Sequence, residues 1–386
     1  MTVTGIICEY NPLHLGHEKQ LNMIRRENPD GGIVCLMSGN FVQRGKPAIV
    51  SKLARAEAAI RSGADLVLEL PVTAALSSAE GFASEGVRIL GGFCDRLCFG
   101  AETGSADTLM DTAKVLLSPE FSEKLKEKLE TGLSFPAARQ AALEEMGHSA
   151  ALLCSPNDIL ATEYCKAILA QCSPMTPMVI RREGGYHDTA PDSENPSATA
   201  VRELMLSTGA WLDYIPENAR EVFRTAALHT RANGERAILA KLRTMTDEEF
   251  EALPYGSEGL WRKLMHACRK ENTLEDILTA VKSKRYTRTR LDRMVMCAFL
   301  GLTQEDLASP APYTRVLALN DRGRQILKTA RNAGKFPNIG EKQDDPYQAI
   351  ETRCGRLYGL FAQGDTEQPD GESRLRIYYH NQEKEI

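Results

Sequence analysis

Residues Gly5 to Leu21 read GIICEYNPLHLGHEKQL, and the fold follows from how this stretch is parsed. It begins inside an apolar, β-branched run, Val3 to Cys8, that reads as a buried strand. Asn11-Pro12 ends the run with a turn signal. His14-Leu15-Gly16-His17 follows, after which Leu21, Met23 and Ile24 mark the apolar side of a helix. Two histidines and a glycine therefore stand where a first strand hands over to a first helix. The unpaired N–H groups and the dipole of a helix start favour a phosphate. Gly16 has no Cβ and lets a ligand approach the backbone. An imidazole N–H stabilises the charge that builds on phosphoryl oxygens in a transition state. The segment is expected to be where the phosphates of a nucleotide react, with His14 and His17 as catalytic residues.

The rest of the first half repeats the strand–helix alternation. A second apolar run, Gly32 to Met37, ends in Ser38-Gly39-Asn40-Phe41-Val42-Gln43-Arg44-Gly45. Helical patterns at Ser51 to Arg61 and Ser78 to Leu90 alternate with strand patterns at Asp65 to Leu70 and Asp95 to Gly100. That order predicts an α/β, Rossmann-like parallel sheet with helices on both faces, and ligands at the carboxyl ends of its strands. Residues 105–148 read as helical, Ser155-Pro156-Asn157-Asp158 opens another helix, and Pro177 to Arg182 reads as a fifth strand. Ser197-Ala198-Thr199-Ala200-Val201-Arg202 then enters a helix. Its hydroxyls suit a cap or a phosphate, with Arg202 one turn along to pair with the charge. Beyond Tyr214 strand signals fade, which predicts two domains: an α/β domain over 1–213 and a mainly α-helical C-terminal domain over 214–386. The tail from Gln363 is polar and is expected to pack weakly.

With 386 residues, 42% of them hydrophobic and 26% charged, the chain has an ordinary globular composition. No apolar run reaches the roughly 18 residues of a membrane span, and the N-terminus lacks a basic region ahead of an apolar core. The ten cysteines are scattered singly with no C-x-x-C pair. They read as reduced thiols of a cytoplasmic protein, with no metal-ligand spacing. No G-x-x-x-x-G-K-[ST] and no G-x-G-x-x-G after the first strand is present, which argues against a P-loop and a dinucleotide fingerprint. The net charge of −5 gives no global sign of a nucleic-acid partner, but residues 281–343 hold thirteen Lys/Arg against five Asp/Glu. Within them, Lys284, Arg285, Arg288, Arg290 and Arg293, interleaved with Tyr286 and hydroxyls, suit a phosphodiester backbone.

A strand–HxGH–helix start with a later Ser/Thr-x-x-Arg helix start resembles the nucleotidylyltransferase superfamily. The stretches GIICEYNPLHLGH, MSGNFVQRGKPA, DLVLELPV, FGAE, SPNDILATEY, RREGGYHD, SATAVRELM, YTRTRLDR and YTRVLALN, in this order, resemble the tRNA(Met) cytidine acetate ligase family from residue 5 to about residue 320. The resemblance implies ATP and acetate as substrates, acetyl-adenylate as intermediate, and transfer of the acetyl group to N4 of the wobble cytidine of elongator tRNA(Met). It places the ATP segment on Ile7, Cys8, Glu9, Tyr10, Asn11, Pro12, Leu13, His14, Leu15, Gly16, His17, Glu18, Lys19 and Gln20. It adds Gly100 of FGAE, Asn157 of SPND and Arg182, with Arg181 as the other register. Ser197, Thr199 and Arg202 are expected at the departing phosphates. Asp158 stands where the family has a second asparagine. Mg²⁺ is expected to bridge the phosphates. Arg315 joins the basic segment as a candidate for holding tRNA. A small-molecule nucleotidylyltransferase is the alternative; it would share the HxGH site and have no use for a basic helical domain.

Overall fold

The computed structural model describes residues 1–181, 196–207, 209–332, 346–365 and 376–381. In chain order, β1 (Val3–Cys8), α1 (Leu15–Glu27) and β2 (Gly32–Ser38) lead to a short hairpin, β3 (Phe41–Val42) and β4 (Lys46–Pro47). Then come α2 (Lys52–Arg61), β5 (Leu66–Leu70), α3 (Val72–Ala75), α4 (Ala79–Leu90) and β6 (Arg96–Ala101). Helices α5 (Ala106–Leu116), α6 (Pro119–Glu130), α7 (Phe135–Glu145) and α8 (Pro156–Ala170) precede β7 (Thr176–Arg181) and α9 (Ala198–Ser207). The remainder holds α10 (Arg220–Thr225), α11 (Arg231–Thr244), α12 (Asp247–Glu251), α13 (Leu260–Lys270), α14 (Leu274–Val281), α15 (Arg288–Leu300) and α16 (Gln304–Ala308). It closes with β8 (Val316–Asn320), α17 (Asp321–Asn332), α18 (Pro346–Tyr358) and β9 (Tyr378–His380).

The main sheet runs β7-β6-β1-β2-β5-β8-β9. Neighbours from β7 to β5 are parallel, as the alternating pattern predicts. Buried on both faces, β2 (GIVCLMS) and β5 (LVLEL) are continuous apolar runs broken by one charge, Glu69. Helix starts are set by hydroxyls: Ser51, Ser78, Ser105, Ser118 and Ser155 each accept an N–H of the first turn, and Pro119 and Pro156 occupy the first helical position. One apolar cluster lies on each face of the sheet, and a third fills the helical half around Leu264, Ile277, Met296 and Phe361.

Besides the short β3–β4 hairpin, two strands of the main sheet lie where none is expected. β8 pairs antiparallel with β5, and β9 of the tail pairs parallel with β8. Residues 214–386, expected to be mainly helical, thus also contribute two strands to the main sheet. VLALN is five residues between helical patterns, and Asn320 turns it straight into α17 by accepting the Gly323 N–H at 2.9 Å. Such a run carries no period of its own. The β3–β4 hairpin in turn reaches the helical half, since Phe41 packs edge-on to Tyr358 and Phe361 in the helical core.

Candidate active site

His14 is the N-cap of α1, in extended backbone with φ −140° and ψ 174°. Its Nδ1 accepts the Gly16 N–H at 3.2 Å, and Nδ1 of His17 accepts the His14 N–H at 3.2 Å. The two rings stack with centroids 3.7 Å apart, and Tyr10 lies against His17 at 4.9 Å. The HxGH spacing is thus a reciprocal cap. A ring nitrogen that accepts a backbone N–H carries no proton, so each neutral imidazole has its proton on Nε2. Both histidines present an N–H donor at the start of a helix, where an anion is stabilised. Gly16 has a second reason to be glycine, because a Cβ there would meet the His14 ring at 3.1–3.2 Å.

Within the expected ATP segment, Ile7, Cys8 and Glu9 are half-buried at the carboxyl end of β1, and Tyr10, Asn11, Pro12 and Leu13 are buried. Tyr10 and Leu13 belong to the core under the loop, and the Tyr10 hydroxyl lies 3.5 Å from Cys35 Sγ. Leu15, Gly16, His17, Glu18 and Gln20 are half-buried and Lys19 is exposed. Burial raises the pKa of Glu18. The loop is fixed from below: Asn11 Oδ1 accepts the Ile49 N–H at 2.7 Å, and Glu9 Oε1 accepts the Gln43 N–H at 2.8 Å.

Sequence reasoning passes over the residue that holds this loop most firmly. Arg55 on α2 is fully buried, and its guanidinium donates to the carbonyls of Glu9 at 2.6 Å, Ser38 and Val50 at 3.0 Å, and Gly39. It ties the loop after β1 to the loop after β2. Burial lowers its pKa, against the charges around it. An arginine inside the Ala-rich helix KLARAEAAI is the signal that would have found it.

The loop after β6 is built on α8. Asp158 accepts from Glu102 N at 2.8 Å, Thr103 N at 3.1 Å and Thr103 Oγ1 at 2.6 Å. Asn157 Nδ2 donates to Glu102 Oε1 at 2.6 Å. Gly100, half-buried near the end of β6, and Asn157 at the α8 start therefore share the carboxyl edge with the histidines. Asp158 is a loop anchor there. At α9, Ser197 Oγ accepts the Ala200 N–H at 3.1 Å and so caps the helix, which begins two residues after Pro196. Arg202 donates to Thr199 Oγ1 at 3.0 Å and to the Asn11 carbonyl at 2.5 Å, which brings the second motif onto the first. Arg181 ends β7 and is exposed; Arg182 lies outside the described residues.

The candidates for tRNA lie on α15, on the segment before it and just ahead of β8. Arg285 pairs with Glu258 at 2.7 Å, and Arg288 grips Glu275 with both terminal nitrogens at 2.6–2.7 Å. Arg290 donates to the Tyr255 carbonyl at 2.8 Å and lies over the Tyr286 ring. Arg293 lies over the Tyr255 ring, while Lys284 is exposed. Arg315 is held in a buried network: its Nε lies 2.9 Å from Glu69 Oε2, Lys52 Nζ is 2.7 Å from Glu69 Oε1, and Glu351 is 3.7 Å away. Burial works to raise the Glu69 pKa, but Arg315 and Lys52 outweigh it and hold it below the usual carboxylate value. Burial and the Glu69 charge push Glu351 up to about 7. The network joins β5, β8, α2 and α18 beside the pocket.

A mostly parallel sheet, a histidine-capped helix at its carboxyl edge and a facing Ser/Thr-x-x-Arg helix start define a nucleotidyltransferase fold. Residues 1–373 match the family model described as HIGH Nucleotidyl Transferase. The relative from Clostridium novyi, a tRNA(Met) cytidine acetate ligase, is 37% identical over 87% of this chain and 89% of its own length. Its namesake from Alkaliphilus metalliredigens is 35% identical over 99% of this chain and its whole length, 100%. The crystal structure of Thermotoga maritima TmcAL, apo form I, superposes with a TM-score of 0.90 at 29% identity, covering 99% of this chain and 100% of that one. The same protein bound with alpha-thio ATP, form II, gives 0.87 at 29% identity, covering 98% and 100%. The chain belongs to the tRNA(Met) cytidine acetate ligase family.

Proposed function

We propose that this protein is an ATP-dependent ligase that acetylates N4 of the wobble cytidine of elongator tRNA(Met) by way of acetyl-adenylate. The observation that carries the reading is the pair of Nε2–H donors of His14 and His17 at the start of α1, with Arg202 bonded to the loop between them and β1. Acetate is ionised at pH 7, so it needs no base. It needs an in-line approach to the α-phosphate and charge compensation there. Its oxygen forms the bond to the α-phosphorus, the bond to the bridging oxygen breaks, and pyrophosphate leaves. His14 and His17 donate to the α-phosphoryl oxygens, while Arg202, Ser197 and Thr199 take the departing pyrophosphate. In the second step the cytidine amine attacks the acetyl carbonyl, the mixed-anhydride C–O bond breaks, AMP leaves and the amine loses a proton.

Mg²⁺ supplies charge neutralisation on phosphates when it is present. Among the described residues no group of three or more His, Cys, Asp or Glu is placed to hold a metal. No helix among the described residues is long and apolar enough to cross a membrane, and a tRNA substrate places the reaction in the cytoplasm. The helical half, with Lys284, Arg285, Arg288 and Arg290, is proposed to receive the tRNA; Arg293 is buried against Tyr255 and is not part of that surface. ATP–pyrophosphate exchange tests the first step: exchange that requires acetate and proceeds without tRNA supports the ligase, and exchange indifferent to acetate contradicts it.

A further inference from the structure

The seam between the sheet and the helical half carries, besides Arg202, cations that the adenylation step does not use. The β3–β4 hairpin is fastened to the reactive loop through the Gln43 N–H on Glu9 Oε1, 2.8 Å. At its tip, Gly45 has φ +69°, and a Cβ there would meet the backbone of Asp292 and Arg293 at 2.4–2.6 Å. Hairpin and α15 therefore touch backbone to backbone. The next residue, Lys46, keeps its side chain in contact with solvent.

The charges facing Lys46 come from every element around the seam. They are Arg44 on the hairpin, Arg202 on α9, Arg231 on α11 and Asp292 on α15, with Glu275 on α14. Arg231 pairs with Asp292 at 2.6 Å, and Arg288 reaches Glu275 at 2.6 Å and Asp292 at 3.4 Å. Among the described residues, Arg44, Lys46, Arg202, Arg231 and Arg288 thus meet the carboxylates of Asp292 and Glu275. Partial burial lowers the Lys46 pKa, and the neighbouring arginines lower it further against Asp292. A surplus of like charge at a cleft favours an anion. Its position selects which one. Arg202 marks the near edge of the nucleotide site; the other candidates Gly100 and Asn157 lie toward β6, on one side of β1, whereas the hairpin follows β2, on the other side. The cations are spread over the hairpin and three helices, which suits a linear polyanion better than a single triphosphate.

We propose that Arg44 and Lys46 bind the phosphodiester backbone of the RNA substrate at the seam, next to the base that enters the pocket to be acetylated. This rests on the ligase reading above; it makes the two residues positioning residues for the second step, on a surface that runs from the hairpin to α14 and α15.

The test compares the full-length parent with Lys46→Ala, the double variant Arg44→Ala/Lys46→Ala, and Lys46→Arg. Acetate-dependent ATP–pyrophosphate exchange is measured without tRNA, and acetyl transfer is measured against tRNA and salt concentration. Exchange is expected to stay within about twofold of the parent. The kcat/KM for tRNA is expected to fall about tenfold or more in the double variant, and the slope of log KM against log salt to shrink by about one per cation removed. Lys46→Arg is expected to restore most of the loss. Intact exchange shows at once that the variants fold. An equal fall in exchange, which would assign the cations to the phosphates of ATP, overturns the proposal. So do an unchanged tRNA kcat/KM and salt slope. A parent without acetate-dependent exchange would instead overturn the ligase reading.

Discussion

His17 is half of the α1 cap, and in the proposed reaction it also donates to the α-phosphate. Replacing it with Ala is expected to lower the acetate-dependent exchange rate by about 10²–10³-fold, the usual loss for one preorganised donor, and to cost about 1 kcal/mol of stability through the cap. Exchange kinetics and urea unfolding on the same variant separate the two, and His17→Ala with normal exchange would remove it from the mechanism. Asp158 is a purely structural case. Asp158→Asn turns an amide N–H toward the backbone and hydroxyl donors of Thr103, at an expected cost of about 1–3 kcal/mol, read as a lower urea midpoint. At this scale the motif residues were legible because His-x-Gly-His between a strand and a helix has few other uses. Arg55 and Glu69 were not, because a single polar residue in an apolar run is informative only once its partners are known. Those partners lie on other elements, in the loops after β1 and β2 for Arg55, and on α2 and just ahead of β8 for Glu69.

The elements of the first half were readable from period and caps. Their strands are continuous apolar runs, and their helices open on Ser with an N–H bonded back to the hydroxyl. β8 and β9 were not readable, because an added strand takes its identity from the edge it pairs with, here β5 and then β8. The β3–β4 hairpin belongs in the same class. SGNFVQRG stood out as a motif, yet its seat on α15 comes from a contact far along the chain. Gly45→Val is expected to lift the hairpin from α15 and to cost about 1–3 kcal/mol as an overpacked contact, with further strain from φ +69°. Differential scanning calorimetry reads this as a lower Tm, and an unchanged Tm would mean that the hairpin does not bear on the helix.

For the whole molecule, the Glu69–Lys52–Arg315–Glu351 network predicts how stability follows pH. The folded pKa of Glu351 is raised from about 4.5 to about 7, so between those values the folded state holds the proton more tightly than the unfolded chain. Its contribution is therefore present at low pH and is lost as pH rises from about 4.5 to about 7. The depressed Glu69 works in the opposite sense, adding stability above its unfolded pKa that disappears as pH falls through its folded one. In Glu351→Gln the first contribution is gone, so unfolding free energies across that window should decline less with pH than in the parent; parallel curves would contradict this. The same network sits where α18 meets the carboxyl end of β5, so the two halves of the molecule are joined beside the reactive edge.

In the proposed reaction one pocket makes acetyl-adenylate, and the adjoining helical half brings the tRNA to it. The direct measurement is to incubate the protein with ATP, labelled acetate and bulk tRNA, digest the RNA and identify the labelled nucleoside. Label in N4-acetylcytidine from tRNA(Met), dependent on ATP and lost in His17→Ala, is the predicted result. Pyrophosphate release without acetate, and no label in RNA, would contradict it.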